Sequence, residues 1–216
     1  MIKRLVLILL LPFFSSAIAS SYVELTESNF AKSGHEKAVI VIQVNWGRQW
    51  NCGSYENSQL IDLKFALIND AAIERIELET PSKLSPGKGF RPYILLVKPG
   101  EYAFSGFKIR AAKSETDIGY IEATEDKLII AGKPMGGYFT ANAGEMVYLG
   151  HIALDCKYDP VPWRFYIEGK SEFTQYAQQY SDAYPYLKGK KFIYRLWETK
   201  EFGTPYSLGN GFEVEM

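Results

Sequence analysis

The chain of 216 residues carries 24 Lys and Arg against 25 Asp and Glu, a formal net charge of −1. With no basic tail and no cluster denser than Lys188, Lys190 and Lys191, nucleic-acid binding has no electrostatic footing. The two His and two Cys are scattered, unlike the closely spaced ligands of a zinc site, and no phosphate-loop spacing occurs, so neither metal nor cofactor is expected.

The chain begins Met1-Ile2-Lys3-Arg4, continues through the apolar run Leu5–Phe14 and reaches Ala17-Ile18-Ala19. A basic start, an apolar stretch and a small-residue cleavage pattern predict a secretory signal peptide over 1–19. The run is too short to cross a bilayer comfortably, and no later segment is longer. The mature chain, 20–216, is therefore expected to be a single domain without a transmembrane segment, periplasmic or secreted. Aromatic residues make up 15% of the chain, which suits a pleated, half-buried surface.

The dominant period beyond the leader is two. From Ala38 to Cys52 the even positions run Ala38, Ile40, Ile42, Val44, Trp46, Arg48, Trp50, Cys52, and the odd positions turn polar. That predicts a strand with one buried face. Ile61, Leu63, Phe65 and Leu67 predict a second strand, and Ile76 and Leu78 a third. Residues 81–90, rich in Pro, Gly and Ser, predict a loop. Tyr93–Val97 is apolar on both faces and reads as a central strand. Lys98-Pro99-Gly100-Glu101 suits a type II turn. Beyond it Tyr102 and Phe104 share one parity while Phe107 and Ile109 share the other, which predicts a β-bulge at Gly106.

Short strands are expected at Ile118–Ala123 and Lys127–Ala131. Residues 136–156 predict two strands joined at Asn142-Ala143-Gly144, and another strand follows at Trp163–Ile167. One segment has a helical period: Phe173, Tyr176, Ala177 and Tyr180 fall at i, i+3, i+4 and i+7, with Ser171 as N-cap and Pro185 beyond the end. A last strand is expected at Phe192–Trp197, followed by Gly-rich residues that drape over the surface. Many short strands and one short C-terminal helix predict an all-β fold, an antiparallel β-sandwich.

Two stretches, "KPGEYAFSGFKI" (98–109) and "YFTANAGEMVYLGHI" (138–152), resemble a pattern in uncharacterised secreted bacterial proteins. Those have transthyretin- or immunoglobulin-like sandwiches akin to carboxypeptidase regulatory-like domains. The residues that carry the likeness are Pro99, Gly100 and Tyr102, then Ala143, Gly144, Glu145, Val147, Tyr148 and Gly150. They are turn chemistry, so the resemblance implies a fold and carries over no catalytic residue.

The stretch "NWGRQWNCGSYENSQ" (45–59) concentrates the residues with most to offer a ligand. If the alternation holds, Trp46, Arg48 and Trp50 share one face, with the guanidinium between two indoles. Asn51 and Gln49 supply hydrogen-bonding groups and Glu56 a charge that could pair with Arg48. Trp46, Arg48, Trp50, Asn51 and Glu56 thus form a candidate sugar- or peptide-binding platform; the competing and preferred reading is a structural corner. In an oxidising compartment the two cysteines leave one intramolecular pairing, Cys52–Cys156, and both share parity with apolar neighbours. His35 in a polar loop and His151 on a strand read as structural. No nucleophile elbow is present, and the carboxylates Glu74, Glu77 and Glu79 read as a solvated strand face. Three functions stay open: a non-enzymatic binding or envelope-interaction protein with a protein or glycan partner, a hydrolase of envelope polysaccharide or peptide, and an accessory subunit that lends a sheet edge.

Overall fold

The computed structural model describes residues 23–68, 74–82, 87, 89–165, 170–197 and 212–215; the leader, 1–19, lies outside them. In chain order the strands are β1 (Val23–Glu24), β2 (Ala38–Asn45), β3 (Gln49–Cys52), β4 (Tyr55–Leu67), β5 (Arg75–Glu79), β6 (Phe90–Val97), β7 (Gly100–Ala112) and β8 (Ile118–Ala123). They continue with β9 (Ile129–Ile130), β10 (Lys133–Pro134), β11 (Tyr138–Ala141), β12 (Met146–Asp155), β13 (Val161–Phe165), β14 (Lys191–Tyr194) and β15 (Phe212–Glu215). The helices are α1 (Glu27–Ser33), α2 (Glu125–Leu128) and α3 (Lys170–Ala183). None of them is long and apolar enough to cross a membrane.

The strands form two sheets and a small ribbon. The first sheet has the order β1-β6-β2-β12-β14-β15, with β13 on β12. The second has the order β11-β7-β4-β3, with β5 on β4 and β8 on β7, and β9 pairs with β10. One apolar core takes Ile40, Ile42 and Val147 from the first sheet and Leu63, Phe65, Phe104 and Phe139 from the second. A second core covers the opposite face of the first sheet, where Val39, Val41, Met146 and Tyr148 meet Phe173, Ala177 and Tyr180 of α3. The layers are therefore helix, sheet, sheet.

That third layer corrects the reading of β2. Its residues are buried at seven successive positions, because even positions face the inter-sheet core and Val39 and Val41 face α3. A strand covered on both sides has no polar face, and the polar odd positions Gln43 and Asn45 come only near its end. The first sheet is also mixed rather than antiparallel: β12 runs parallel to both β2 and β14. Parallel neighbours are joined by long crossovers, and alternation within a strand does not reveal its partner's direction.

Among the described residues three α-helices stand where one was expected. α1 begins at a reciprocal cap in which the Thr26 hydroxyl accepts from the Asn29 N–H at 3.3 Å and the Asn29 side chain accepts from the Thr26 N–H at 2.9 Å. Asn in place of Glu or Gln at the third position hides that motif from a sequence scan. The strand expected at Lys127–Ala131 is split between the end of α2 and β9. α3 forms over the predicted segment but begins at Lys170, so Ser171 lies inside it rather than capping it, and it buries Phe173, Ala177 and Tyr180.

The bulge lies where the parity switch places it. The β4–β7 register shifts between Lys64↔Gly106 and Phe65↔Phe104, and both Phe104 and Phe107 reach the core. The chain passes from one sheet to the other at Pro99-Gly100, but not through the expected type II turn: Gly100 is already paired with Ala141 in β7, at a φ of 151°. The Tyr102 hydroxyl donates to the Lys98 carbonyl at 2.9 Å, and the buried Glu74 carboxylate accepts from the Lys98 N–H at 3.1 Å. At Asn142–Glu145 the glutamate accepts from Asn142 and is paired with Arg195 at 2.6 Å. Burial acts against its charge, but the Arg195 and Asn142 hydrogen bonds outweigh it and hold the carboxyl down at about 2.

Candidate functional site

The stretch 45–59 is a crossing between sheets. β2 ends at Asn45, whose side-chain oxygen accepts from the Gly47 N–H at 2.8 Å and turns the chain out of the first sheet. It then enters β3, at the edge of the second sheet's main strand path. The break separates the two indoles. Trp46 is 1% exposed in the inter-sheet core, where its Nε1–H donates to the Tyr93 hydroxyl at 2.8 Å. Trp50 is 61% exposed. The shared face expected for Trp46, Arg48 and Trp50 is therefore not formed, because the alternation is interrupted between β2 and β3. Arg48 is half-buried between them, and Asn51 and Glu56 are exposed.

Asn51 explains how Trp50 and Cys52, two positions apart, part company. Its φ of 54° lies in the left-handed region, which breaks the pleat between them. Cys52 turns inward, fully buried, and is bonded to Cys156 with Cα atoms 4.4 Å apart. The disulfide ties β3 in the second sheet to the residue just after β12 in the first. A backbone hydrogen bond from Gly53 to the Cys156 carbonyl, 3.0 Å long, reinforces the tie. Gly53 itself opens the two-residue turn to β4 at a φ of 62°. Trp50 thus projects from a strand held at the turn by a covalent link and by a ladder to β4.

Register shows what lies beside Trp50. Trp50 pairs with Asn57, Asn57 with Ala112, and Ala112 with Ile118, one row across β3, β4, β7 and β8. One step along, Gln59 pairs with Arg110 and Arg110 with Tyr120. Directly paired residues share a face, so the exposed Trp50, Ile118 and Tyr120 (56% exposed) lie on the outer face of the second sheet. Between them Arg110 donates to the Asn57 side-chain oxygen at 3.2 Å. With strands about 4.8 Å apart, the row spans about 14 Å. Trp50 and Asn51 were legible in the sequence; Asn57, Arg110, Ile118 and Tyr120 were not. Their only trace is β8 itself, which is apolar at alternate exposed positions.

The same face continues into a groove of about 410 Å³ lined by Asp62, Lys64, Arg75, Glu77, Lys108 and Glu122, among others. Its charges are matched within the chain. Lys64 lies 3.1 Å from Asp62 and 3.9 Å from Glu77, Arg75 2.9 Å from Glu125, and Lys108 2.8 Å from Glu122. Burial raises the Asp62 carboxyl above its ordinary value despite the Lys64 hydrogen bond. Lys108 also lies 4.9 Å from the centre of the Tyr120 ring, so groove and aromatic row are continuous.

His151 belongs to a different layer, a polar seam beneath α3. A bulge between Tyr148 and Gly150 turns both Tyr148 and His151 toward the helix. His151 Nδ1 is hydrogen-bonded to the Tyr148 hydroxyl and Nε2 to the Tyr176 hydroxyl at 3.0 Å, while the Gln43 side-chain amide donates to the Tyr180 hydroxyl at 3.1 Å. Burial pushes the imidazole down to about 4, so at neutral pH it is uncharged and satisfied by two phenols. Burial first, and neighbouring tyrosines second, push the Tyr148 phenol up. Among the described residues no group of three or more His, Cys, Asp or Glu is placed to hold a metal ion.

Neither family models, nor curated proteins, nor solved structures include a match to this chain.

Proposed function

We propose that this chain is an exported, non-enzymatic binding protein that takes a glycan strand of the cell envelope on the outer face of its second sheet. In this reading residues 1–19 are the cleaved leader and the mature protein works in the periplasm or outside the cell. Its two sheets form a sandwich of the immunoglobulin or transthyretin kind. The resemblance at 98–109 and 138–152 supports that placement, as does the tyrosine hydrogen bond closing the Pro99-Gly100 corner.

One observation carries the functional reading: Trp50 and Tyr120 are exposed on one rigid face, with the Arg110–Asn57 pair between them. A protein interface centres on a contiguous apolar patch that excludes water. Here the exposed Trp50, Ile118 and Tyr120 flank the half-buried Arg110, and a pyranose ring offers a matching apolar face and hydroxyl edge. Aromatic side chains suit such a surface, since one side stacks and the rim stays wet. The hydrolase reading gains nothing from the groove, whose carboxylates are held by the chain's own Lys64, Lys108 and Arg75.

Fluorescence offers a direct test, because Trp46, Trp163 and Trp197 are buried and Trp50 alone of the four tryptophans is exposed. Chito-oligosaccharide, or sonicated peptidoglycan, should shift the emission to shorter wavelength as the Trp50 indole is covered. Trp50→Ala and Tyr120→Ala should each lower affinity about tenfold, with urea midpoints nearly unchanged. A wild-type protein that binds neither glycan, or variants that bind as well as it does, would refute the reading.

A further inference from the structure

The β9–β10 ribbon is a projection that neither sheet requires. Its turn is Ala131-Gly132, with φ values of 50° and 74°, the two positive angles of a type I′ hairpin. Gly or Asn is the usual first residue of such a turn, and alanine there is held at some cost in backbone strain. The substitution keeps the tip apolar: Ile130, Ala131 and Gly132 form it, all exposed, with Ile130 54% exposed. Space around Gly132 is open, since an added Cβ would meet nothing within 4 Å.

The base of the projection is fixed. Leu128 is buried against the inter-sheet core, and its carbonyl accepts from the Met135 N–H at 2.8 Å. Gly136 packs under Phe104, and its carbonyl accepts from the Trp197 indole at 3.1 Å. Ile130 pairs with Lys133, so these two share one face of the ribbon, and Met135, just beyond it, is exposed as well. Lys127, also exposed, is the penultimate residue of α2, just before the ribbon. An uncharged apolar tip on an anchored base, with a lysine on each side, is the pattern of a segment that dips into a lipid interface. The flanking ammonium groups would then sit at the level of anionic headgroups. Of the acids beside the ribbon, Glu122 is paired with Lys108 and Glu125 with Arg75, while Asp126, next to Lys127, is hydrogen-bonded by the Thr124 hydroxyl and also feels the Lys127 charge.

We infer that the 129–135 ribbon is a membrane-contacting finger, which inserts Ile130 and Met135 into an anionic bilayer surface while Lys127 and Lys133 pair with its phosphates. The contact is peripheral and reversible, because two apolar side chains cannot anchor a protein permanently. It is independent of the aromatic row on the second sheet.

Flotation with phosphatidylglycerol-containing vesicles tests this, using the protein as exported. The wild-type protein should float with anionic vesicles at low salt and remain behind with pure phosphatidylcholine vesicles. Ile130→Ser should lower the bound fraction about tenfold, and the double variant Lys127→Gln/Lys133→Gln several-fold, with a weaker salt dependence. Trp50→Ala should float like the wild type, which separates this finger from the glycan-binding face. Because Ile130 is exposed, urea midpoints of the variants should match the wild type. No flotation with anionic vesicles, equal flotation with neutral ones, or an Ile130→Ser protein that floats normally would overturn the inference.

Discussion

Replacing both cysteines, Cys52→Ala with Cys156→Ala, removes the one covalent link between the two sheets among the described residues. The bridge closes a separation of 104 residues. For a loop of that size the chain-entropy relation gives about 4.7 kcal/mol, because the reduced unfolded chain regains the freedom the link withheld. Little of this is offset in the folded state. β3 stays paired with β4, and the Gly53 hydrogen bond to the Cys156 carbonyl does not depend on sulfur. The buried Cys52 site loses a sulfur's worth of packing, which adds to the loss. A total of about 4–5 kcal/mol is a large share of what holds a domain of this size. Urea melts followed by circular dichroism measure it. The variant's midpoint should fall sharply while the slope rises, since an uncrosslinked unfolded chain exposes more surface. The wild type under reductant should trace the variant's curve. A loss under about 1 kcal/mol with an unchanged slope would refute the argument that the bridge acts through the unfolded state.

His151 sets a pH dependence whose sign follows from its folded value of about 4, below the ordinary 6.5. The unfolded chain takes up the proton first as pH falls, so stability present above pH 6.5 is lost between 6.5 and 4, by about 3 kcal/mol at most. His151→Gln should flatten that part of the stability curve; curves that stay parallel across the window would sink the assignment. Gly53→Ala should cost at least about 2 kcal/mol. Its Cβ would stand 1.8 Å from the Tyr158 carbonyl oxygen at a φ of 62°, and an unchanged urea midpoint would contradict the close approach.

Several features of this protein are local, and the sequence displays them. Alternation marks strands because successive side chains leave a pleated backbone on opposite sides, whatever the strand's partner. The parity switch at Gly106 marks a bulge for the same reason, and Phe173, Ala177 and Tyr180 mark α3 by the pitch of a helix. The Cys52–Cys156 pairing needed only a count of cysteines and the expectation of an oxidising compartment.

What alternation cannot carry is the identity of a neighbour. Val39 and Val41 look like mild exceptions on a one-sided strand until α3 covers them. Nothing in Met146–Asp155 says that its partners on both sides, Ala38–Asn45 and Lys191–Tyr194, run parallel to it. The candidate site shows the limit most plainly. Trp46 and Trp50 share parity in the sequence, yet the chain changes sheets between them and Asn51 breaks the pleat after them. One indole is sealed in the core and the other faces solvent. Tyr120 joins Trp50's face only because three strand pairings, spread over some 70 positions of chain, bring β3 and β8 onto one sheet. Local backbone geometry repeats every two residues and is written in the sequence; long-range pairing is decided by which apolar faces can be buried together, a property of the whole folded chain.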